Sequence, residues 1–337
     1  MSQSSQIFPW QRALWQGLIQ RLHEDRLPHA LLLSGPQGTG KESLARLFAR
    51  AVLCENSGNN SLPRDDLPCG TCRSCLLDQA GSHPDHHWVG LLDSKKIIGV
   101  DQIREIGTSL SMKAHYSGYK VVVITPAEQM NLQAANSLLK TLEEPPSRSL
   151  LILVASHMTA LPATLRSRCQ RITCALPPQD AAVSWLEAQL TPGHDAGLLL
   201  ALAGGAPRVA LQMAQEGRVS QRLEVLDGLE RLLRNQESAV TLAASWLKLE
   251  LKEALYWMHS GVIDMIRLKS AAHPPRLVNP DMRERLQAIA AQMELKTLYY
   301  QLDKIGEASR LAMGQSNAQM LLEDVLIRWN ERCSGRM

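Results

Sequence analysis

The chain has 337 residues, 45% of them hydrophobic, and a formal net charge of +3. This length exceeds one typical domain and predicts two or three, whereas so small a charge does not by itself indicate nucleic-acid or membrane binding. No run of about 18 apolar residues occurs, and Met1–Ser5 lacks a signal-peptide pattern, so we expect a cytoplasmic protein without membrane attachment. Seven cysteines in a reducing compartment favour free thiols or metal ligation over disulfides.

The first motif in the chain is a glycine-rich loop. A short apolar run at 29–34 predicts a buried strand, and it leads into Gly35-Pro36-Gln37-Gly38-Thr39-Gly40-Lys41-Glu42-Ser43. Gly35, Gly38 and Gly40 would let backbone N–H groups cradle phosphates, and Lys41 would contact the β- and γ-phosphates. The pattern therefore predicts a phosphate-binding loop followed by a helix.

The loop departs from its motif at the last position. Glu42 stands where a serine or threonine hydroxyl would hold Mg²⁺, and a carboxylate there would repel phosphate at short range. Ser43 comes one residue later, about 100° further round a helix, so it does not substitute for the missing hydroxyl. We expect no ATP hydrolysis, while the intact Lys41 leaves ATP binding open.

Four cysteines follow the helix after the loop. Cys54 stands at its predicted end, and Cys69, Cys72 and Cys75 form two overlapping C-x₂-C units. Such units bring sulfurs onto one ion, and four thiolates close the tetrahedral shell of Zn²⁺ without leaving a position for water. We therefore predict a structural zinc site in an insertion at 54–75, against the alternative of unrelated free thiols.

The residues around the cysteines give little sign of nucleic-acid binding. Basic and acidic side chains alternate within the insertion and just after it, at Arg64, Asp65, Asp66, Arg73 and Asp78. This is not the basic stripe with interleaved aromatics that a DNA-binding surface shows. Nearby histidines are alternative ligands or nucleic-acid contacts, but solvated loop histidines are the interpretation that we favour, for His83, His86 and His87.

Two further apolar runs, 121–125 and 150–156, predict buried parallel strands because hydrophobic and polar residues do not alternate in them. Between them, 134–144 has helical periodicity and is stopped by Pro145 and Pro146. Strand, helix and strand in this order predict a parallel α/β sheet with right-handed crossovers. The first of these strands ends in Thr125-Pro126, where an ATPase places its acids for Mg²⁺ and water, and Glu128 is displaced from those positions.

From Pro177 onward the pattern is helical. A glycine-rich break at 204–207 separates short helices, and longer amphipathic segments begin after residue 216. We therefore predict three domains: an α/β nucleotide-binding-like domain at 1–176, a small helical domain at 177–215 and an all-α domain at 216–337.

A basic turn precedes the first domain boundary, at Leu165-Arg166-Ser167-Arg168-Cys169. On charge alone it is an exposed turn with surface ion pairs. Together with the glycine loop, the four cysteines and the run Leu138-Leu139-Lys140-Thr141-Leu142-Glu143-Glu144-Pro145-Pro146, it resembles the bacterial clamp-loader subunits of the AAA+ superfamily. The resemblance covers about residues 29 to 175.

This resemblance implies an AAA+ domain, a helical lid and a C-terminal collar. It implies that Arg168 acts as an arginine finger on the nucleotide of a neighbouring subunit, and that Arg208 is a phosphate-contacting residue of the lid, although an ordinary ion pair is the alternative there. Thr125 and Pro126 replace the acids of the motor subunits, which implies a stationary, non-hydrolysing member. The implied partners are the motor and delta subunits, the sliding clamp and primer-template DNA, within a DNA-synthesising transferase complex.

Two other functions stay open at this point. The first is an active clamp-loader ATPase of the motor type, and the second is a zinc-ribbon DNA-binding protein on an inactive ATPase scaffold. Turnover of ATP by the purified chain would favour the first, and steeply salt-dependent DNA binding would favour the second.

Overall fold

The computed structural model describes residues 7–56, 67–93, 95–116, 118–272, 274, 276–312 and 317–333. The start of the chain at Met1–Ser5 and the charged residues Arg64, Asp65 and Asp66 lie outside this described part. The chain forms two compact units, residues 1–181 and 182–337. The domain boundaries at 176 and 215 stay predictions.

The first unit is built on a parallel sheet of five strands in the order β2-β3-β4-β1-β5. The strands are β1 Ala30–Ser34, β2 His86–Val89, β3 Lys120–Ile124, β4 Ser149–Ala155 and β5 Gln170–Thr173. The three strands that the apolar runs predict, β1, β3 and β4, are buried along their whole length and lie next to one another. The predicted parallel α/β sheet is confirmed.

Helices cover both faces of this sheet. They are α1 Arg12–His23, α2 Lys41–Leu53, α3 Arg73–Gln79, α4 Val100–Ser111, α5 Leu132–Glu143 and α6 Ala163–Arg166. Successive residues of a strand point to opposite faces, so Leu31 and Leu33 belong to the core with α1 and α2, whereas Leu32 belongs to the core with α4 and α5. Both cores are filled with aliphatic side chains.

The two edge strands were not expected from the sequence. β2 has the sequence His-His-Trp-Val and is mostly half-buried, and β5 has the sequence Gln-Arg-Ile-Thr and is largely exposed. Short polar strands at a sheet edge lack the continuous apolar run of central strands. The prediction that the histidines at 86 and 87 lie on a solvated loop is therefore wrong, because both belong to β2.

The regular secondary structure in the described residues of the second unit is all helical. It contains the end of α7 Gln179–Glu187, followed by α8 Ala196–Leu202, α9 Pro207–Gln215, α10 Arg218–Leu233, α11 Ala239–Trp246, α12 Leu251–Ser270, α13 Arg283–Ala291, α14 Leu295–Leu311 and α15 Ala318–Cys333. One core cluster runs through this unit and includes Leu199, Leu229, Trp257 and Trp329. The predicted small helical domain and the C-terminal helices thus share a single core.

Within the described ranges, no single helix is long and apolar enough to cross a membrane. The bent pair of α8 and α9, which meet at 108°, passes that test by length and composition alone.

Candidate functional site

The glycine loop joins β1 to α2, and its shape requires glycine at specific points. Gly40 has a φ of +86°, in the left-handed region where side chains are disfavoured. At Gly35 a Cβ atom would lie 2.0 Å from the carbonyl oxygen of Cys174, which leaves no room for a side chain. Gly35 and Gly40 are therefore required by the shape of the loop.

An N-terminal segment packs onto this loop. The side chains of Trp10 and Gln11 both donate hydrogen bonds to the carbonyl oxygen of Thr39, at 3.0 and 2.9 Å. The ring of Phe8 stacks on Trp10 at 5.0 Å and occupies the space that a Cβ on Gly40 would need. A cavity of about 270 Å³ lies beside this contact, lined by Trp10, Gln11, Leu14, Thr39 and residues 173–178. No local sequence pattern indicates these contacts, because they join segments about 30 residues apart.

The ammonium group of Lys41 has hydrogen-bond partners within the chain. It donates to the carbonyl oxygen of Pro36 at 2.7 Å and to the hydroxyl of Ser156 at 3.2 Å, and only 5% of the residue is exposed. Burial lowers the pKa of Lys41 below its ordinary value, although nearby carboxylates oppose the shift. The displaced acid Glu128 lies close by, where its carboxylate accepts hydrogen bonds from the backbone N–H groups of Ser156 and His157.

Glu42 and Thr125 face each other across the loop. The hydroxyl of Thr125 donates to a carboxylate oxygen of Glu42 at 3.2 Å, and Thr125 is 6% exposed. The structure therefore places the carboxylate on the helix, where a magnesium site needs a hydroxyl, and the hydroxyl after β3, where it needs a carboxylate. These residues do not fit Mg²⁺ bound to a nucleotide.

The four predicted cysteines come together. Cys54 follows the last residue of α2, the other three lie at and before α3, and all four sulfurs are within 4.8 Å of one another. The pairs Cys54–Cys72 and Cys69–Cys75 are each separated by 4.0 Å, close to the sulfur separation of about 3.8 Å that Zn–S bonds of about 2.3 Å give in a tetrahedron. Four thiol sulfurs at these separations fit tetrahedral Zn²⁺.

A buried hydrogen-bond chain supports this cluster. The hydroxyl of Ser74 donates to the carbonyl oxygen of Leu53 at 2.5 Å and lies 2.7 Å from Nε2 of His83. Nδ1 of His83 accepts the backbone N–H of Asp85, so Nε2 carries the proton and donates to Ser74. Burial lowers the pKa of His83, and the residue is 5% exposed. The expectation of a solvated His83 is wrong, because the ring is buried and hydrogen-bonded to Ser74 of α3, whose hydroxyl donates to the last residue of α2.

Arg168 lies just beyond α6, with buried residues on either side. Leu165 and Cys169 anchor the turn in the core with α4 and α5, and burial raises the pKa of Cys169 to about 11. The guanidinium of Arg168 is at the surface, with the side chain 37% exposed. It contacts a carboxylate oxygen of Glu143 at 2.7 Å and donates to the carbonyl oxygen of Thr164 at 3.0 Å. The contact with Glu143, which lies in the Leu-Glu-Glu-Pro-Pro run, was not expected from the sequence.

Arg208 lies apart from these groups in the chain, in the second unit. It is the second residue of α9, after Pro207, and is half-buried. Its role as a phosphate contact stays a prediction.

Known proteins resemble this chain along almost its whole length. The family described as "DNA polymerase III, delta subunit" matches residues 10–177, and "DNA polymerase III, delta subunit, C terminal" matches residues 216–331. DNA polymerase III subunit delta' of Pseudomonas aeruginosa is 35% identical over 96% of this chain and 97% of its own. The subunit delta' of Escherichia coli is 32% identical over 95% and 94%.

A solved structure of a DNA polymerase III gamma subunit-related protein from Thermotoga maritima covers 95% of this chain and 99% of its own, with 16% identity and a TM-score of 0.43. The identity and coverage of the delta' relatives decide the family. The chain belongs to the DNA polymerase III delta-prime family.

Proposed function

We propose that this chain acts as the delta-prime subunit of a DNA polymerase III clamp loader, and that it supplies an arginine finger in trans without hydrolysing nucleotide. Two relatives that carry this subunit name match it over more than nine-tenths of both chains, which supports the role in the complex. The phosphate loop and Arg168 support the proposed division of labour between subunits.

The contact between Glu42 and Thr125 is the observation that carries the proposal. A P-loop ATPase holds Mg²⁺ through a loop hydroxyl and a carboxylate after the opposite strand. Here the two chemical groups are exchanged and hydrogen-bonded at 3.2 Å. Pro126 also stands where a second acid would polarise the attacking water. The chain therefore lacks the parts that hydrolysis requires, although its loop backbone is intact.

Arg168 has the properties that a finger needs. A guanidinium carries five N–H donors in a planar fork, and the contacts with Glu143 and Thr164 leave further donors at an exposed surface. The buried neighbours Leu165 and Cys169 fix the turn that presents it. Placed against the nucleotide of a neighbouring subunit, this positive charge would stabilise the charge that develops on the γ-phosphate.

The cysteine cluster is proposed to hold a structural Zn²⁺. Four sulfurs close the tetrahedral shell, so the metal would cross-link the end of α2 to α3 and leave no open position for water. Metal analysis should find about one equivalent of zinc per chain.

The helices after residue 216 are proposed to form the collar that binds the motor and delta subunits. Several of these helices carry exposed apolar side chains, including Met320, Tyr299 and Val240, which are available for contacts with partner subunits. The sliding clamp and primer-template DNA would then be contacted within the assembled complex rather than by this chain alone.

The experiment compares the purified chain with the reconstituted complex. Alone, the chain should show no ATPase, whereas adding it to the motor and delta subunits should complete clamp loading on primed DNA. ATP hydrolysis by the chain alone that Lys41→Ala abolishes would overturn the proposal in favour of a motor-type ATPase.

A further inference from the structure

The exchanged positions of Glu42 and Thr125 explain more than the lack of hydrolysis. A phosphate-loop magnesium site has two protein ligand positions, a hydroxyl on the loop and a carboxylate after the opposite strand. Here Glu42 occupies the hydroxyl position and Thr125 occupies the carboxylate position. Together they carry one hydroxyl and one carboxylate, the same two groups that an active loop would use. The two side chains contact each other directly, at 3.2 Å between Oε1 and Oγ1.

The rest of the loop has the glycine turn and the lysine position that the phosphate-loop motif specifies. Gly40 has the left-handed φ of +86° that starts α2, and Lys41 lies at the first position of that helix. The ammonium group contacts Pro36 and Ser156 within the chain, through neutral oxygens that a phosphate could replace. The negative charge of Glu42 is what sets this loop apart, because it lies at the helix N-terminus where phosphate would bind.

We propose that the exchanged pair of Glu42 and Thr125 excludes magnesium-bound nucleotide from this loop, and that reversing the exchange creates a Mg²⁺-dependent nucleotide site. This inference rests on the proposed non-hydrolysing function and names its cause. Nucleotide is repelled by the Glu42 carboxylate, and Mg²⁺ finds a hydroxyl in place of the anionic oxygen after β3.

The double variant E42T/T125D is designed to preserve the fold. It keeps the total charge unchanged, and a threonine at 42 could donate to an aspartate at 125 with the roles of donor and acceptor reversed. Either single change behaves differently: T125D brings two carboxylates together, and E42T leaves no carboxylate for the metal. Pro126 is untouched, so the double variant should bind nucleotide without turning it over.

The test titrates the full-length chain with a fluorescent ATP analogue, in Mg²⁺ and in EDTA. E42T/T125D should bind at least about 100-fold more tightly than the wild type in Mg²⁺, because the double variant removes the carboxylate that repels phosphate and gives Mg²⁺ an anionic ligand after β3. EDTA should remove this gain, and adding Lys41→Ala to the double variant should remove it as well. The matched control E105T/T108D makes the same residue changes on the exposed side of α4 and should bind as weakly as the wild type.

Two outcomes overturn the inference. The first is a double variant with the wild-type melting temperature and no Mg²⁺-dependent binding, and the second is a wild-type chain that already binds as tightly. If the double variant fails to fold, E42Q decides instead, because it removes the charge but keeps a hydrogen-bond acceptor for Thr125; binding no tighter than wild type then rejects the inference. None of these results bears on Arg168, whose role is tested separately in the assembled complex.

Discussion

The phosphate loop and the Arg168 turn carry basic groups of opposite character. Lys41 is 5% exposed and its ammonium group is bound by oxygens of its own chain. The Arg168 side chain is 37% exposed and held by an ion pair with Glu143, a kind of surface contact that contributes only about 0–1 kcal/mol. A basic group closed off inside a fold serves that fold, whereas one held loosely at the surface can act on another molecule. The exposure of Arg168 therefore supports the proposal that its guanidinium acts on a neighbouring subunit.

The two regions are also built differently. The loop depends on backbone shape, with glycines at tight positions and the N-terminal segment hydrogen-bonded to Thr39. The turn depends on side-chain anchors, with Leu165 and Cys169 buried on either side of the exposed arginine. Changes in the loop should therefore act through stability, and changes at Arg168 should act through the activity of a neighbour.

The largest expected effect comes from Arg168→Ala in the reconstituted complex. Loss of the finger should lower ATP hydrolysis at the neighbouring site by about 10³- to 10⁵-fold, because the guanidinium no longer stabilises the charge that develops on the γ-phosphate. Single-turnover ATPase of the complex measures this, with the stability of the isolated variant close to wild type. Arg168→Lys should not restore full activity, because an ammonium group lacks the planar fork of a guanidinium.

The matched control for that experiment is Lys41→Met, which removes the other basic group. In the same complex it should leave the ATPase of the motor subunits unchanged. If it lowers the rate as much as the Arg168 variant does, or if Arg168→Ala has no effect, the proposed difference in role between the buried Lys41 and the exposed Arg168 is wrong.

The next largest effect is expected from Cys72→Ser, which tests the framework behind the loop. Helix α2 begins at Lys41 and ends beside Cys54, so the cysteine cluster holds the far end of the helix that carries Glu42. Losing a ligand should reduce zinc content well below one equivalent and lower the free energy of unfolding by on the order of 4 kcal/mol. Metal analysis and urea unfolding measure these two quantities.

Cys169→Ser is the matched control, because this thiol lies in the core of the first unit and outside the cluster. It should retain the zinc. A Cys72 variant that also retains one equivalent would show that the four cysteines do not form the metal site.

A smaller loss of unfolding free energy is expected from Gly40→Ala, which tests whether the loop contributes to stability in the absence of nucleotide. The methyl group would meet the Phe8 ring at 2.5 Å in a left-handed backbone conformation, at a cost on the order of 1–3 kcal/mol. Gly193→Ala is the control, because its φ of +100° is also left-handed but nothing lies within 4 Å of the added atom. Equal losses of unfolding free energy in the two variants would mean that the contact with Phe8 contributes nothing.

The sequence predicts the interior of the first unit better than its edges. The apolar runs at β1, β3 and β4 and the periodicity of α5 indicate these elements because their residues are buried in a regular pattern. β2 and β5 were missed because edge strands carry polar residues, including the histidines of β2. The burial of an edge strand depends on which other segments pack against it. The local hydrophobic pattern of the sequence carries no information about those segments.

In the candidate site, too, some features are predicted by local sequence pattern and others are not. Spacing alone indicates the glycine loop and the cysteine cluster, and the structure brings the four sulfurs together. The contacts of Trp10 with Thr39, Glu42 with Thr125 and Glu143 with Arg168 join residues 25 to 83 positions apart, as their numbers show. Such contacts depend on how strands are ordered in the sheet, so they became visible only in the folded chain.

The smallest expected effect is the pH dependence of the stability that Lys41 contributes, which tests whether its ammonium group is buried. Burial lowers its pKa below the ordinary value of 10.5, so the folded chain binds this proton less tightly than the unfolded chain. The stability of the wild type relative to Lys41→Met should therefore rise as the pH increases from the lowered pKa toward 10.5. Urea unfolding across this range measures the difference, and the other titrating groups cancel because both proteins contain them. Arg168→Met should give a flat difference, because arginine stays protonated throughout. A flat or falling difference for Lys41 would mean that its ammonium group is as well solvated as the guanidinium of Arg168, and the contrast between the two regions would then be lost.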